Sequence, residues 1–314
     1  MASEPIARPL RLRRFLGANP ILVKELRSRF RGPRAFVALT AFLLLLVLFA
    51  GLLYVMQVGT YQSNYGYTGQ SQSMAAQIGQ MLFITIAFVE LACMAFVGPA
   101  LTLNAISGEV ERQTYDLLLA TPLSGWAILR GKVGAAMAYV LLLIFSALPV
   151  MSLAFLFGGV SAQQVALSQI SIFVSGLLFL MVGVFYSSLT QRTARSAVLS
   201  YLTVGAICVM PYVIIFMWSS ILRFANQDTF MRFLQITPVM SLFAAVAPAS
   251  WGSQGNTMVL YWSQATCLHL LTAALLYILA GARIRRVGRG AIAAMFALAF
   301  LFGLWLVWIV AAPA

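Results

Sequence analysis

Long apolar runs alternate with short polar segments along the whole chain. Ala35 to Gln57 carries no charged residue, and about 20 apolar residues are enough to cross the hydrocarbon core of a bilayer. Comparable runs follow at about Met74–Ala105, Val133–Phe157, Leu167–Leu189, Ala197–Trp218, Met258–Ala280 and Ala291–Ala312, so the pattern predicts seven transmembrane helices and no strands. The second should kink at Gly98-Pro99, because proline removes a backbone donor inside a helix. Val58 to Ser73 is polar but uncharged and reads as an external loop, and Gly158 to Ala166 as a small turn. Residues 219–257 are irregular. Their apolar part, Ile236 to Trp251, is interrupted by Pro238 and Pro248 and is too short to span, which predicts a re-entrant or interfacial hairpin.

Two segments between the runs are amphipathic. Asn19-Pro20 reads as an N-cap followed by proline at the first helical position, opening a helix to about Arg31. Leu22, Leu26 and Phe30 repeat every four residues while Lys24, Arg27, Arg29 and Arg31 point elsewhere, the pattern of a helix lying in the headgroup plane. The simpler reading is a set of topogenic charges ahead of the first span.

The second segment, Ile106 to Lys132, holds Glu109, Glu111, Asp116, Arg112, Arg130 and Lys132 between two apolar runs. Ser107 is a candidate cap for a helix running to Ala120, with Glu109 and Glu111 favourably placed in its first turn. Glu109, Arg112 and Asp116 would share one solvated face, and Val110, Thr114, Leu117 and Leu118 a face that needs a packing partner. Thr121-Pro122 should stop this helix and cap the next.

Composition agrees with the periodicity. With 62% hydrophobic and 9% charged residues the chain is outside the range of soluble domains, which carry about 25% charged residues. The net charge of +13 would suit nucleic acid, but its placement argues otherwise. Of the 20 Lys and Arg, 18 fall in the N-terminal segment, the 106–132 loop, the Arg192/Arg195 turn and the Arg283–Arg289 turn, all on one side of the alternating spans. Only Arg223 and Arg232 fall on the other. This asymmetry predicts a multi-pass protein with its N-terminus cytoplasmic.

Sites for chemistry are sparse. There is no GxxxxGK[ST] loop; the nearest stretch, Gly125 to Lys132, has five residues between its glycines and Val133 where a hydroxyl should bind magnesium. Cys93, Cys208 and Cys267 lie within spans and form no CxxC, and the single histidine, His269, has no second ligand at metal spacing, so no metal site is expected. Glu90 lies inside the second span. It would line a translocation path or take up a proton, or else be a hydrogen-bonded carboxyl that fixes helix packing. Ser168, Ser171 and Ser175 form a polar stripe of the kind that packs helices closely.

Glu109, Arg112, Thr114, Leu117 to Leu119, Ala120 to Ser124, Gly131 and Lys132 resemble the cytoplasmic loop of type-2 ABC transporter permeases. The resemblance is specific over about 27 positions and extends to the rest of the chain mainly through topology. It implies an all-α polytopic fold: a six-helix permease core in residues 35–282, preceded by an interfacial connecting helix in residues 1–34. Residues 283–314 would add a basic turn and either a seventh span or an in-plane segment. It further implies that the helix after the second span is a coupling helix docking on a separate ATP-binding subunit. Glu109, Val110, Arg112, Thr114, Asp116, Leu117, Leu118, Thr121 and Pro122 are the expected contact residues. ATP and Mg would be bound by that subunit, with none in this chain. The family pairs two permease chains, identical or related, in the cytoplasmic membrane of prokaryotes, and commonly exports its cargo. At Gln113 the family often has glycine; glutamine is the better helix former, so the difference is expected to be harmless.

Two other classes fit the same sequence: a noncatalytic membrane scaffold or assembly factor held through the 106–132 loop, and a membrane-embedded enzyme using Glu90 and His269 as acid and base.

Overall fold

The computed structural model describes residues 19–31, 33–64, 71–120, 124–222, 234–246 and 254–284. The Ala291–Ala312 segment and the corner at Thr121-Pro122 lie outside the described residues, as do the side chains of Leu117 and Leu118. Among the described residues every regular element is helical: α1 (Pro20–Phe30), α2 (Pro33–Asn64), α3 (Ser71–Ala100), α4 (Ser107–Glu111), α5 (Tyr115–Ala120), α6 (Gly125–Phe157), α7 (Ala162–Leu189), α8 (Thr193–Leu222), α9 (Pro238–Val246) and α10 (Gln254–Ile284). Six of them, α2, α3, α6, α7, α8 and α10, are long and apolar enough to cross a membrane.

The bundle is built around α7, which packs against α3, α6, α8, α9 and α10. Two-thirds of its apolar window (67%) is buried inside the protein, against 11% for α2 and 17% for α8, so α7 is the axis and those two are peripheral. Its sequence explains the position. Without a hydrophobic driving force between helices in lipid, close packing requires small residues, and α7 buries Ser168, Ser171, Ser175, Gly176 and Gly183. At Gly183 a β-carbon would lie 3.0 Å from the Pro99 carbonyl and collide with the Thr102 hydroxyl. Glycine there lets α3 and α7 cross tightly enough for Thr102 Oγ1 to donate to Leu180 O at 2.8 Å.

Helix ends depart from the sequence reading in four places. α2 continues to Asn64, through the first seven residues of the segment expected to be loop from Val58 onward; that stretch has neither proline nor charge to stop a helix. α3 ends at Ala100 and not at Ala105, with Pro99 as its penultimate residue: the chain tightens there into turns in which Thr102 N and Leu103 N both donate to Pro99 O, at 2.9 and 2.8 Å. Pro99 therefore ends the helix instead of kinking its interior. α6 is capped by Ser124, whose hydroxyl accepts from Ala127 N at 3.2 Å. The fourth span starts earlier than Leu167, at a Ser161/Gln164 capping box.

α9 falls within the stretch expected to be a re-entrant or interfacial hairpin, most of whose remaining residues lie outside the described ones. Its nine residues reach only about 14 Å, half the hydrocarbon thickness. It is buried against α7 and α10, and Gln164 Nε2 donates to the Val246 carbonyl at its end. This short helix is thus enclosed by protein.

Candidate functional site

One end of the bundle gathers α1, the end of α3, α4, α5 and the beginnings of α6 and α8. All of these but α5 line a cleft of about 620 Å³, with Lys24, Glu25, Arg29, Glu109, Arg112 and Lys132 among its residues. The cleft carries both signs of charge, and its organisation follows from one buried cation.

Lys132, in the second turn of α6, is 7% exposed. Its Nζ lies 3.0 Å from Glu109 Oε1 on α4 and 3.5 Å from Glu25 Oε1 on α1. A buried ammonium is tolerated only when paired, so this lysine ties α1, α4 and α6 together. Gly131 beside it makes the approach feasible: a β-carbon there would sit 2.9 Å from Ile21 Cβ and 3.1 Å from Leu22 N. Asn19 completes the seat of α1. Its Oδ1 accepts from Ile21 N at 3.2 Å, the expected cap, and its Nδ2 donates to Ala127 O at 2.6 Å.

The α4–α5 segment differs from the single helix expected over Ser107–Ala120. α4 stops at Glu111, and Gln113 has φ 57°, in the left-handed region. Thr114 N donates to Glu109 O at 2.9 Å and Gln113 N to Val110 O at 3.0 Å, the bond pair of a Schellman stop. The position where the resembled family often has glycine is therefore the one that calls for glycine, and Gln113 is not a neutral helix substitution. The break also dissolves the expected faces. Glu109 turns inward to Lys132 and accepts from Thr114 Oγ1, whereas Arg112 and Asp116 are exposed and Val110 is half-buried. Thr114 thus supports a carboxylate and does not extend an apolar stripe.

Nor does Ser107 cap the helix. It is the first residue of α4, fully buried, and its hydroxyl donates back to Leu103 O at 2.8 Å. The cap comes from α7: Ser187 Oγ accepts from Ile106 N at 2.9 Å and Ser107 N at 3.1 Å. Glu111 caps in the other direction, accepting from Thr193 N at 2.9 Å and Thr193 Oγ1 at 2.6 Å at the start of α8. Tyr115 Oη donates to the Ile284 carbonyl at the end of α10, at 3.1 Å. The turn is therefore anchored to four spans.

Electrostatics follow these contacts. Burial pushes the Glu109 carboxyl up, but hydrogen bonds from Thr114 and Lys132, together with the charges of Lys132 and Lys24, outweigh it and hold it below the ordinary glutamate value. Hydrogen bonds from Thr193 hold the exposed Glu111 below it as well.

On α1 Lys24 and Arg27 are exposed, as is Arg31 at its C-cap. Arg29 is the exception. It is half-buried and its Nη2 donates to Leu101 O at 2.7 Å, satisfying a carbonyl left free where α3 ends. Burial pulls this guanidinium down from its ordinary value, with the Glu25 charge opposing.

Glu90 and His269 share no hydrogen bond. Glu90, on α3, accepts from Gln169 Nε2 on α7 at 3.1 Å, and His269 Nε2 meets the Ile236 carbonyl at 3.1 Å. The serine stripe of α7 packs as expected: Ser171 Oγ accepts from Trp262 Nε1 at 2.6 Å.

Sequence reasoning missed Glu25, Ser187 and Thr193 as site residues, and counted Lys132 without seeing its role. A signal existed only for Lys132, a lysine inside an apolar helix face next to glycine. The other three act across the fold.

Six helices long and apolar enough to cross a membrane, with a charged, many-sided turn between the second and third, define a multi-pass membrane protein. The family model described as ABC-2 family transporter protein matches residues 19–314, and the chain belongs to that family of noncatalytic membrane permeases working with an ABC ATP-binding partner. A comparison with curated proteins finds no match.

Proposed function

We propose that this permease is half of the membrane domain of an ATP-driven exporter, coupled through the α4–α5 turn to a separate ATP-binding subunit. The observation that carries the coupling reading is the anchoring of that turn: one compact element is bonded to α6 through Lys132, to α7 through Ser187, to α8 through Thr193 and to α10 through Ile284. A displacement applied to such an element is passed to all four spans at once, whereas a loosely tethered helix would absorb it. Arg112, at the cleft, and Asp116 are exposed and would orient the subunit; Glu109 holds the turn to the bundle from within.

In this reading ATP and Mg are bound by the partner, and two permease chains assemble with two ATP-binding subunits. The N-terminus and the turn lie on the cytoplasmic face of a prokaryotic inner membrane, an orientation that the charge asymmetry supports. A partner shifts the bundle only through differential contact with its states, and closure of the nucleotide-bound dimer against the turn supplies that difference.

The test is purification of the chain from its native membrane in mild detergent, with copurifying proteins identified and ATPase activity assayed. An ATP-binding subunit should be recovered, and Arg112→Glu should weaken its retention about tenfold, the effect of about 1.4 kcal/mol, without lowering the thermal stability of the permease. Arg195→Glu, exposed at the same end but outside the turn, should leave retention unchanged. Absence of any ATPase would favour a scaffold, and equal losses in both variants would count against the turn as the docking element.

A further inference from the structure

The middle of the bundle contains a polar cluster that the coupling reading does not use. Glu90 is fully buried on α3. Its Oε2 accepts from Gln169 Nε2, and the same amide nitrogen donates its other hydrogen to Met151 Sδ on α6 at 2.8 Å. Both hydrogens of the Gln169 amide are then committed. Two atoms remain without a partner, both inaccessible to solvent: Glu90 Oε1 and Gln169 Oε1. Both are acceptors, one on each member of a pair that is already joined.

An ionised Glu90 would leave this arrangement with two orphaned buried oxygens and an uncompensated charge, and no Lys or Arg of α2, α6, α7, α8 or α9, the elements packed against α3, is paired with it among the described residues. Cys93, one turn along α3, is the titratable group whose field it shares. Buried polar groups are nearly always satisfied, and an unpaired charge in a span is among the costliest arrangements a membrane protein can hold. A protonated carboxyl has one O–H donor. A proton on Glu90 Oε1 would turn one unpartnered acceptor into a donor, and Gln169 Oε1, the other unpartnered acceptor of the same joined pair, is the group it would serve.

We infer that Glu90 and Gln169 form an intramembrane proton-binding clasp, in which a neutral carboxyl fastens the second span to the fourth and, through Met151, to the third. The second and third spans are the ones that flank the α4–α5 turn, so the clasp sits on the two helices that receive any motion of that turn. Parting α3 from α7 breaks both bonds of the pair, and loss of the proton removes one of them and leaves a charge in the seam.

The clasp is tested by infrared spectroscopy of the full-length chain in lipid nanodiscs at neutral pH, with glutamate carboxyls isotopically labelled. Wild type should show a carboxylic-acid carbonyl band that shifts in heavy water and is lost in Glu90→Gln. Because the glutamine amide reproduces both the donor and the acceptor of the neutral acid, Glu90→Gln should keep the wild-type thermal midpoint while Glu90→Leu lowers it. Gln169→Leu should move the acid band to higher frequency, as a carboxyl released from its partner does. Only an ionised-carboxylate band in wild type would overturn the proposal, and so would an acid band unmoved by Gln169→Leu. If Gln169→Leu does not fold, the comparison of wild type with Glu90→Gln still decides the protonation state.

Discussion

Gln113 carries more conformational cost than any other described non-glycine residue, because it alone among them has a positive φ, 57°. A side chain in the left-handed region costs roughly 1–2 kcal/mol against a right-handed one, and glycine escapes that penalty at an entropic cost of about 0.5–1 kcal/mol. Gln113→Gly should therefore stabilise the turn, by about 0.5–1 kcal/mol, and raise the thermal unfolding midpoint of the permease. Gln113→Val should lower it, since a β-branched residue tolerates this region worst. The opposite order would mean that the chain does not make the Schellman stop seen between Glu109 and Thr114. The residue type alone points the wrong way here. Glutamine is a good helix former, and only the long-range bonds that fix Glu109 and Tyr115 on either side force the reversal.

At the scale of elements, α1 depends on a glycine it does not contain. Its first turn rests on Gly131, with Ile21 and the Leu22 backbone inside the space a side chain would fill, and the Lys132–Glu25 pair lies alongside. Gly131→Leu should lift α1 from α6. Amide hydrogen exchange over Ile21–Glu25 should rise about tenfold or more, corresponding to about 1.4 kcal/mol or more of lost local stability, while α7 and α10 keep their protection. Unchanged exchange would show that α1 is held by its lipid-facing side instead. The existence and order of the helices were legible in the hydrophobic periodicity, as was the Asn19-Pro20 start of α1, because these depend on local composition and local bonds. The ends of α2, α3 and α4 were not, since each is decided by what the chain meets in space. The site was legible as a segment but not as a geometry. Ser187 and Thr193 lie about 80 positions from the backbone groups and carboxylate they serve, and no spacing rule connects them. Glu25 likewise reads as one polar residue among cations until Lys132 is placed beside it.

Across the whole molecule the spans are held at their basic end by carboxylates, and this makes the assembly of that end sensitive to acid. Glu109 bonds α4 to α6, and Glu111 bonds it to α8. Both carboxyls are held below the ordinary glutamate value, about 4.3, in the folded protein. The unfolded chain then takes up protons at a higher pH than the folded one, so stability falls as pH falls. The contribution is fully present above the ordinary glutamate range and disappears as pH drops through the lower folded values. At neutral pH both ties are intact, and modest acidification to about pH 5 should not loosen them. The thermal midpoint of the purified permease, followed from neutrality downward, should stay level with respect to these groups and then decline below about pH 4. Replacing both carboxyls, Glu109→Gln with Glu111→Gln, should lower the neutral plateau and flatten that decline, because the variant has no carboxylate to protonate at either tie. A decline as steep as that of wild type would assign the acid sensitivity to other carboxyls, and would mean that the turn is kept on the bundle by Ser187 and Tyr115 without help from charge.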